Sequence, residues 1–188
     1  MNEFQSPSET ASEHPDSDGE PPEPGSELQI PIANEQAGLT IDQAQLEAAV
    51  RLVFRDSAYN SGLVSIAVVD DPTIHQINRQ YLDHDYPTDV LSFVLQDNEP
   101  RLEGELVVST DTAASESANL SWSAHDELIL YVVHGALHLV GYLDKTPDEA
   151  AAMHAAEAKV LTELGITLPD GDNRWSASEE NRAGESNE

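Results

Sequence analysis

Two histidines four residues apart are the side chains of this 188-residue sequence best placed to carry chemistry. His134 and His138 lie in an almost wholly apolar stretch, ELILYVVHGALHLV, from 127 to 140. If this stretch is a helix, the spacing places both imidazoles on one face, with their β-carbons about 5–6 Å apart. Buried ring nitrogens need polar partners, and a metal ion satisfies one nitrogen on each ring. The pattern therefore predicts a pair of metal ligands.

A carboxylate follows the histidine pair just after the helix is expected to stop. Gly141 tolerates the left-handed backbone that ends many helices, so the chain can fold back and bring Asp144 towards the two imidazoles. A single histidine on an apolar helix is more often a core residue with a satisfied hydrogen bond. The pair and the carboxylate together favour a metal site formed by His134, His138 and Asp144, with His154 as a reserve ligand.

Three such ligands indicate a catalytic rather than a structural metal site. The chain has no cysteine, so a bound divalent ion, for which zinc is favoured, would use only nitrogen and oxygen ligands. Three protein ligands leave the fourth tetrahedral position to water, whereas a structural site fills all four. HGALH lacks the glutamate of the H-E-x-x-H peptidase pattern. The residues alone thus predict a metal-dependent hydrolase and identify no catalytic group beyond the water.

The charge of the chain argues against a free-standing binder of nucleic acid. The sequence has 8 basic and 36 acidic residues, a formal charge of −28, and residues 28–168 by themselves hold 6 and 22, a formal charge of −16. Proteins that bind nucleic acid unaided usually present a basic face, because neutralising phosphates supplies most of the non-specific affinity. The acidity is otherwise typical of a solvated surface that resists aggregation.

Composition divides the chain into one domain and two tails. Residues 1–27 contain eight acidic residues, no Lys or Arg, and many Pro and Ser, and residues 169–188 are similarly acidic. Both segments are predicted to be disordered, because they cannot bury enough apolar surface to offset the entropy of ordering. A single domain is expected over 28–168. The N-terminal segment resembles neither a signal peptide nor a membrane anchor, and we expect a cytoplasmic protein.

The first half of this domain is predicted to alternate strands and helices. LQIPIA, at 28–33, is expected to form an edge strand around its proline. A helix should follow, with Thr40 as its N-cap. The β-branched run at 63–70 predicts a strand, after which Asp71 should cap a second helix that turns Tyr81 inward.

The second half is predicted to contain a hairpin and then three helices. Strands at 90–95 and 104–110 are expected to pair, with the eight residues between them as the connection. A short helix at 111–120 should precede the histidine-bearing helix, which starts at Ser123. The last helix has a capping box that starts at Thr146. Four strands and about five helices predict an α+β domain with a small four-stranded mixed sheet.

Several segments of the sequence resemble the YbeY family. HGALHLVGYLD is similar to the family signature H-G-x-L-H-L-x-G-Y-D-H, and NRQYLDHDYPTDVLSF and EGELVVSTD resemble two further family segments in the same order. The resemblance covers about 63–166. It implies an α+β fold and a metal-dependent endoribonuclease specific for single strands, acting in maturation of the 16S rRNA 3′ end and in ribosome quality control. It also implies rRNA and ribosomal subunits as partners. Because the acidity fits poorly with RNA binding by the protein alone, we expect the metal and a ribosomal protein or an assembly factor to provide the docking, and we expect no membrane partner.

The sequence departs from the family pattern at two positions. Asp144 stands where the family has a third histidine, and Leu82 stands where it has an arginine expected to contact phosphate. Arg79, three residues earlier on the same predicted helix, is a candidate replacement for that contact, although it is equally compatible with an ordinary exposed arginine. Two alternatives to the nuclease therefore remain. One is a ribosome-assembly factor with a structural metal site that does not cleave RNA, and the other is a metal-dependent hydrolase of another substrate.

Overall fold

A five-stranded mixed sheet organises the chain, of which the computed structural model describes residues 27–118, 120 and 122–169. The strands run in the spatial order β1-β3-β5-β4, and β2 also pairs with β3. β3 is parallel to β1, β2 and β5, while β4 and β5 are antiparallel. The strands are β1 (Leu28–Gln29), β2 (Ile32–Asn34), β3 (Ser61–Val69), β4 (Val90–Asn98) and β5 (Arg101–Ser109).

The predicted α+β class is confirmed, but the sheet has five strands instead of four. The segment expected as one edge strand is divided around Pro31, which has no N–H to donate to a ladder. Its two pieces both pair with β3, Leu28 opposite Gly62 and Ile32 opposite Ile66. The Pro31 carbonyl oxygen still accepts a hydrogen bond from the Ile66 N–H, at 2.9 Å, so both short strands stay aligned with β3.

Five helices pack around this sheet, as the sequence predicted. No helix in the described part of the chain is long and apolar enough to cross a membrane. The predicted tails fall outside the described residues, apart from Glu27 and Pro169 at their inner ends. The helices are α1 (Gln43–Arg55), α2 (Asp71–Leu82), α3 (Thr110–Ser117), α4 (Ala124–Leu139) and α5 (Pro147–Glu163).

The predicted N-caps of α1 and α2 were wrong by two residues and one residue, and α3 spans Thr110–Ser117 instead of 111–120. The N-cap of α1 is Asp42, not Thr40, because the Asp42 carboxylate accepts hydrogen bonds from two backbone N–H groups of the first turn. The N-cap of α2 is Asp70, whose carboxylate accepts from the Thr73 N–H, and Asp71 is already helical. In both cases an aspartate with a β-region backbone fits the cap position. The capping box that opens α5 at Thr146 is confirmed.

The two faces of the sheet carry different helices. Leu102, Leu106 and Val108 of β5 point into the larger core, which they share with α1, α4 and α5. Val107 points to the other face, where it packs with residues of α2 such as Ile74. The histidine-bearing helix α4 and the helix α2 therefore lie on opposite sides of the sheet.

Tyr81 does not face the core, which corrects the prediction for α2. Its side chain is 65% exposed and its ring packs edge-on against Phe93 of β4, with 5.9 Å between the ring centroids. Tyr81 therefore packs on the terminal strand of the sheet with one side of its ring and leaves the rest in solvent. The hairpin connection was also predicted too long, because the β4–β5 pairing continues as far as Asn98 opposite Arg101.

Gly135 allows α4 to lie close against β4 and β5. A β-carbon at this position would lie 2.8 Å from Val90 Cγ2 and 2.9 Å from both Leu106 Cδ2 and Ser92 Oγ. Ser92 Oγ donates a hydrogen bond to the Gly135 carbonyl oxygen at 3.2 Å. This close contact fixes the position of the helix one residue after His134.

Candidate metal centre

The structure brings together the three side chains that the sequence singled out. One potential ligand atom from each of His134, His138 and Asp144 lies within 4.8 Å of the others, and all three residues are partly buried. α4 ends at Leu139, Gly141 follows its C-cap Val140 with φ 98°, and the Tyr142 N–H donates back to the Leu137 carbonyl oxygen. This left-handed helix end reverses the chain and returns Asp144 to the histidine face.

Hydrogen bonds leave the same nitrogen available on both imidazoles. Nδ1 of His134 lies 2.6 Å from Oε1 of Glu157, and Nδ1 of His138 lies 3.0 Å from the carbonyl oxygen of Tyr142. A carbonyl and a carboxylate oxygen accept hydrogen bonds, so each Nδ1 is held in its protonated, donating form. Partners of this kind orient the histidine ligands of metal sites and leave Nε2 free for the metal.

The two Nε2 atoms face each other at 3.0 Å, with the ring planes at 89°. With both Nδ1 atoms protonated, two neutral rings would direct their lone pairs at one another, which is unfavourable unless a positive charge lies between them. Two nitrogens bound to a tetrahedral zinc at 2.0–2.1 Å would stand about 3.3 Å apart. The donor set and its arrangement therefore fit a divalent metal ion.

The electrostatic surroundings favour a positive charge at His134. Burial disfavours its imidazolium form, but the hydrogen bond and the charge of Glu157 outweigh that effect, and the pKa of His134 is raised. Burial instead lowers the pKa of His154. Among the described residues, the converging group of potential ligands does not include the reserve candidate His154.

Glu157 is a site residue to which the sequence reasoning assigned no role. It lies on α5, is completely buried, and its Oε2 has no hydrogen-bond partner within the described residues. A signal was available, because Glu157 is in helical register with Met153 and Leu161 on the buried face of α5. A buried glutamate on an otherwise apolar helix face needs a polar or cationic partner, and here that partner is His134.

A pocket of about 330 Å³ lies beside His134 and has an acidic wall. Burial raises the pKa of the Tyr131 phenol in this pocket, and the neighbouring Glu127 carboxylate adds to that effect. Such a wall repels phosphate groups. The pocket is lined by Asp89, Thr112, Glu116, Glu127, Leu130, Tyr131, His134 and Glu157.

The two residues of the phosphate-contact hypothesis lie on α2. Arg79 is exposed, and its guanidinium lies 3.8 Å from a carboxylate oxygen of Asp85. Leu82, the last residue of α2, is also exposed. Because α2 covers the face of the sheet opposite α4, the structure does not bring Arg79 into contact with the metal ligands.

The comparisons with known proteins agree with one another. The sequence profile of a family described as Endoribonuclease YbeY matches residues 31–165. An Endoribonuclease YbeY of Rhodopirellula baltica is 49% identical over 122 residues, which cover 63% of this chain and 62% of that protein. An Endoribonuclease YbeY of Syntrophotalea carbinolica is 36% identical over 142 residues, or 72% and 95% of the two chains. The solution structure of TM1509 from Thermotoga maritima has a similar fold, with a TM-score of 0.51 at 23% identity, covering 77% of this chain and all of that one.

Proposed function

This chain belongs to the YbeY family, whose profile covers most of it, and we propose that it is a metal-dependent endoribonuclease that hydrolyses phosphodiester bonds in single-stranded RNA. The observation that carries the proposal is the pair of Nε2 atoms 3.0 Å apart, beside the Asp144 carboxylate. Both relatives named above are described as endoribonucleases. A ligand set with an open position suits hydrolysis better than a structural role.

The proposed cofactor is one divalent metal ion, with zinc favoured, held by His134, His138 and Asp144. When bound, the ion would supply Lewis acidity to stabilise charge on the scissile phosphate and to lower the pKa of water. The chain's own residues set the orientation of the metal ligands and the net charge of the site. Glu157 and the Tyr142 carbonyl orient the two imidazoles, and the Asp144 carboxylate reduces the net positive charge of the site.

The charge distribution supports a direction for RNA approach. The acidic pocket beside His134 repels phosphate, so the RNA backbone would reach the site from the side of His138 and Asp144. Arg79 lies on the opposite face of the sheet from α4, so it is proposed as a contact for a phosphate remote from the metal ligands. Its guanidinium is exposed, and its carboxylate partner Asp85 lies at 3.8 Å, a long distance for an ion pair. An arginine that is weakly paired can release its partner and bind a phosphate group.

The proposed biological role is maturation of the 16S rRNA 3′ end and ribosome quality control. The formal charge of −16 over residues 28–168 makes unaided binding to RNA unfavourable. We therefore assign docking to a ribosomal protein or an assembly factor that brings the enzyme to the ribosomal subunit. The proposal places the activity in the cytoplasm and in the domain over 28–168, with which the family match at 31–165 is consistent.

A second candidate is an assembly factor that binds without cleaving. The presence of Asp144 and Leu82, where the family pattern has histidine and arginine, favours this candidate, because a carboxylate ligand weakens the Lewis acid and a leucine cannot bind phosphate. The metal would then stabilise the fold only.

Cleavage of a single-stranded RNA by the purified full-length chain separates the two candidates. Under the nuclease proposal, cleavage is lost with a chelator, returns when zinc is added, and is absent from His138→Ala. Duplex RNA should resist. An assembly factor would bind ribosomal subunits normally while producing no metal-dependent cleavage.

A further inference from the structure

The outer edge of the sheet at β4 is long and apolar. β4 is the terminal strand of the order β1-β3-β5-β4 and spans nine residues. Val94 and Leu95 are 51% and 64% exposed, although both are large and hydrophobic. Natural proteins usually protect such edges with lysine, proline or a covering segment, because unpaired backbone groups there can accept another strand. The sequence VLSFVLQDN contains neither lysine nor proline.

Exposed apolar side chains lie on both faces of this edge. Val94 pairs with Gly104, where an added β-carbon would lie 2.9 Å from Leu139 Cδ1 of α4, so Val94 lies on the face that carries α4. Phe93 points to the opposite face, where the exposed ring of Tyr81 packs against it. We call the group formed by Tyr81, Phe93, Val94 and Leu95 the β4 edge surface. A strand added to β4 would cover it on both faces with its alternate side chains.

The charge around the β4 edge surface is strongly negative. Residues 83–105 contain seven acidic residues and one basic residue, Arg101. Arg101 is already engaged, since its guanidinium lies 2.7 Å from a carboxylate oxygen of Glu103. Within the part of the chain that the structure describes, no ion pair involves Asp97, Glu99 or Glu105. Asp97 accepts a hydrogen bond from the Tyr59 hydroxyl at 2.8 Å. A positively charged partner would therefore find on this hairpin carboxylates that have no cationic partner among the described residues.

We propose that the β4 edge surface is the docking site for an extended, basic segment of a partner protein, which adds to the sheet as a further strand. Backbone hydrogen bonds would pair the open edge, apolar side chains of the segment would cover Phe93 and Val94, and its lysines or arginines would meet the hairpin carboxylates. This inference deepens the part of the proposed function that assigns docking to a protein.

The negative charge of the hairpin excludes two other occupants of the β4 edge surface, a second copy of this chain and an RNA strand. A second copy of this chain would place its own acidic hairpin against the first, and like charges across an interface cost free energy. An RNA strand would bring phosphates to the same carboxylates without the counterion release that drives such binding. Only a basic polypeptide matches the apolar residues, the open backbone edge and the negative charge together.

A labelled ten-residue peptide of alternating lysine and valine tests the proposal on the full-length, metal-free protein, without RNA. We expect binding that adds hydrogen-exchange protection to the outward amides of β4. The double variant Val94→Lys, Leu95→Lys should weaken this binding at least tenfold. Ala151→Lys, an exposed site on α5, is the control for added charge and should change binding less than twofold. Because neither metal nor RNA takes part, a negative result here leaves the cleavage assay unaffected.

Three results would overturn the proposal. The first is equal weakening of peptide binding by the β4 double variant and by Ala151→Lys, which would indicate unspecific charge attraction. The second is binding without new protection of the β4 amides. The third is stronger protection of β4 by a single-stranded oligonucleotide, or by raising the protein concentration, which would identify RNA or a second copy as the occupant. A glutamate–valine peptide should not bind, and its binding would remove the charge argument.

Discussion

Nδ1 of His134 lies 2.6 Å from Oε1 of Glu157, so a candidate metal ligand on α4 is oriented by a completely buried carboxylate on α5. The hydrogen bond fixes the imidazole tautomer and directs Nε2 towards the second histidine. It also makes the site depend on the packing between two helices that follow each other in the chain. Carboxylate partners of this kind commonly raise the basicity of a histidine ligand.

Glu157→Gln should weaken metal binding while leaving the fold intact. Glutamine keeps an oxygen that can accept from Nδ1 but removes the negative charge, and loss of such partners typically lowers metal affinity about 10–100-fold. Competition with a chromophoric chelator measures the change. Asp148→Asn, an exposed acid-to-amide change on the same helix, is the matched control. Equal zinc affinity in wild type and Glu157→Gln would contradict the assigned role.

The purified protein should contain about one equivalent of zinc or a similar divalent ion, because three nitrogen and oxygen ligands converge at one point. His138→Ala should abolish metal retention, and Asp144→Ala should reduce it. His154→Ala should retain the metal. Elemental analysis of protein purified without added metal provides the measurement. Loss of the metal from His154→Ala, with full retention in Asp144→Ala, would show that His154 is the third ligand.

Metal binding should weaken in acid because a proton competes for His134. The pKa of His134 is raised in the metal-free protein, so competition begins above the ordinary histidine pKa of about 6.5. Below the raised pKa, apparent affinity should fall about tenfold per pH unit for each proton displaced. Chelator competition across pH 5–9 tests this. In Glu157→Gln the pH at which protons begin to compete with the metal should be lower. An unchanged pH would show that Glu157 does not control the protonation of His134.

The raised pKa also predicts how the metal-free protein responds to pH. A group whose pKa is higher in the folded state adds stability that is complete below its unfolded pKa and is lost as pH rises through the folded value. Metal-free protein should therefore gain stability as the pH falls from above the folded pKa of His134 to about 6.5. Denaturant unfolding at several pH values measures this, with His134→Ala expected to remove the gain.

Asp144→His and Leu82→Arg should each increase RNA cleavage if the chemistry is that of the family. The first change removes a negative ligand, which raises the effective charge of the metal. The second adds a phosphate contact, so RNA binding should tighten and its dependence on salt should steepen by about one unit in the log–log slope. A cleavage rate lowered by both changes would show that this chain's site works differently. Leu82→Gln is the uncharged control.

Gly135→Ala should destabilise the domain despite the better helix propensity of alanine. The added methyl group would lie 2.8–2.9 Å from three side-chain atoms of β4 and β5. Overpacking of this kind costs about 1–3 kcal/mol, against a propensity gain of about 1 kcal/mol. Denaturant unfolding measures the difference. Gly38→Ala, where the nearest atom would be 3.8 Å away, is the control, and a Gly135→Ala variant as stable as Gly38→Ala would show that α4 can shift.

Local spacing determined several features that the structure then confirmed. The four-residue interval between His134 and His138, the start of α4 at Ser123 and the capping box at Thr146 all depend on residues within one or two turns of each other. Helix geometry relates such residues directly, so the sequence was sufficient. The approach of Asp144 to the two histidines follows the same local logic, because Gly141 reverses the chain at once. Its role as the third metal ligand stays a prediction.

The remaining features depended on which surfaces pack together, and only the tertiary structure decided them. Glu157 meets His134 because α5 folds back onto α4, and no interval in the sequence specifies that contact. Tyr81 lies outside the core because its ring packs on Phe93 of the terminal strand β4, where much of it stays in solvent, although its helical periodicity fits an inward position. The placement of Arg79 on the face opposite the histidines has the same origin. Periodicity assigns a side chain to a face of its own helix, whereas packing decides what that face touches.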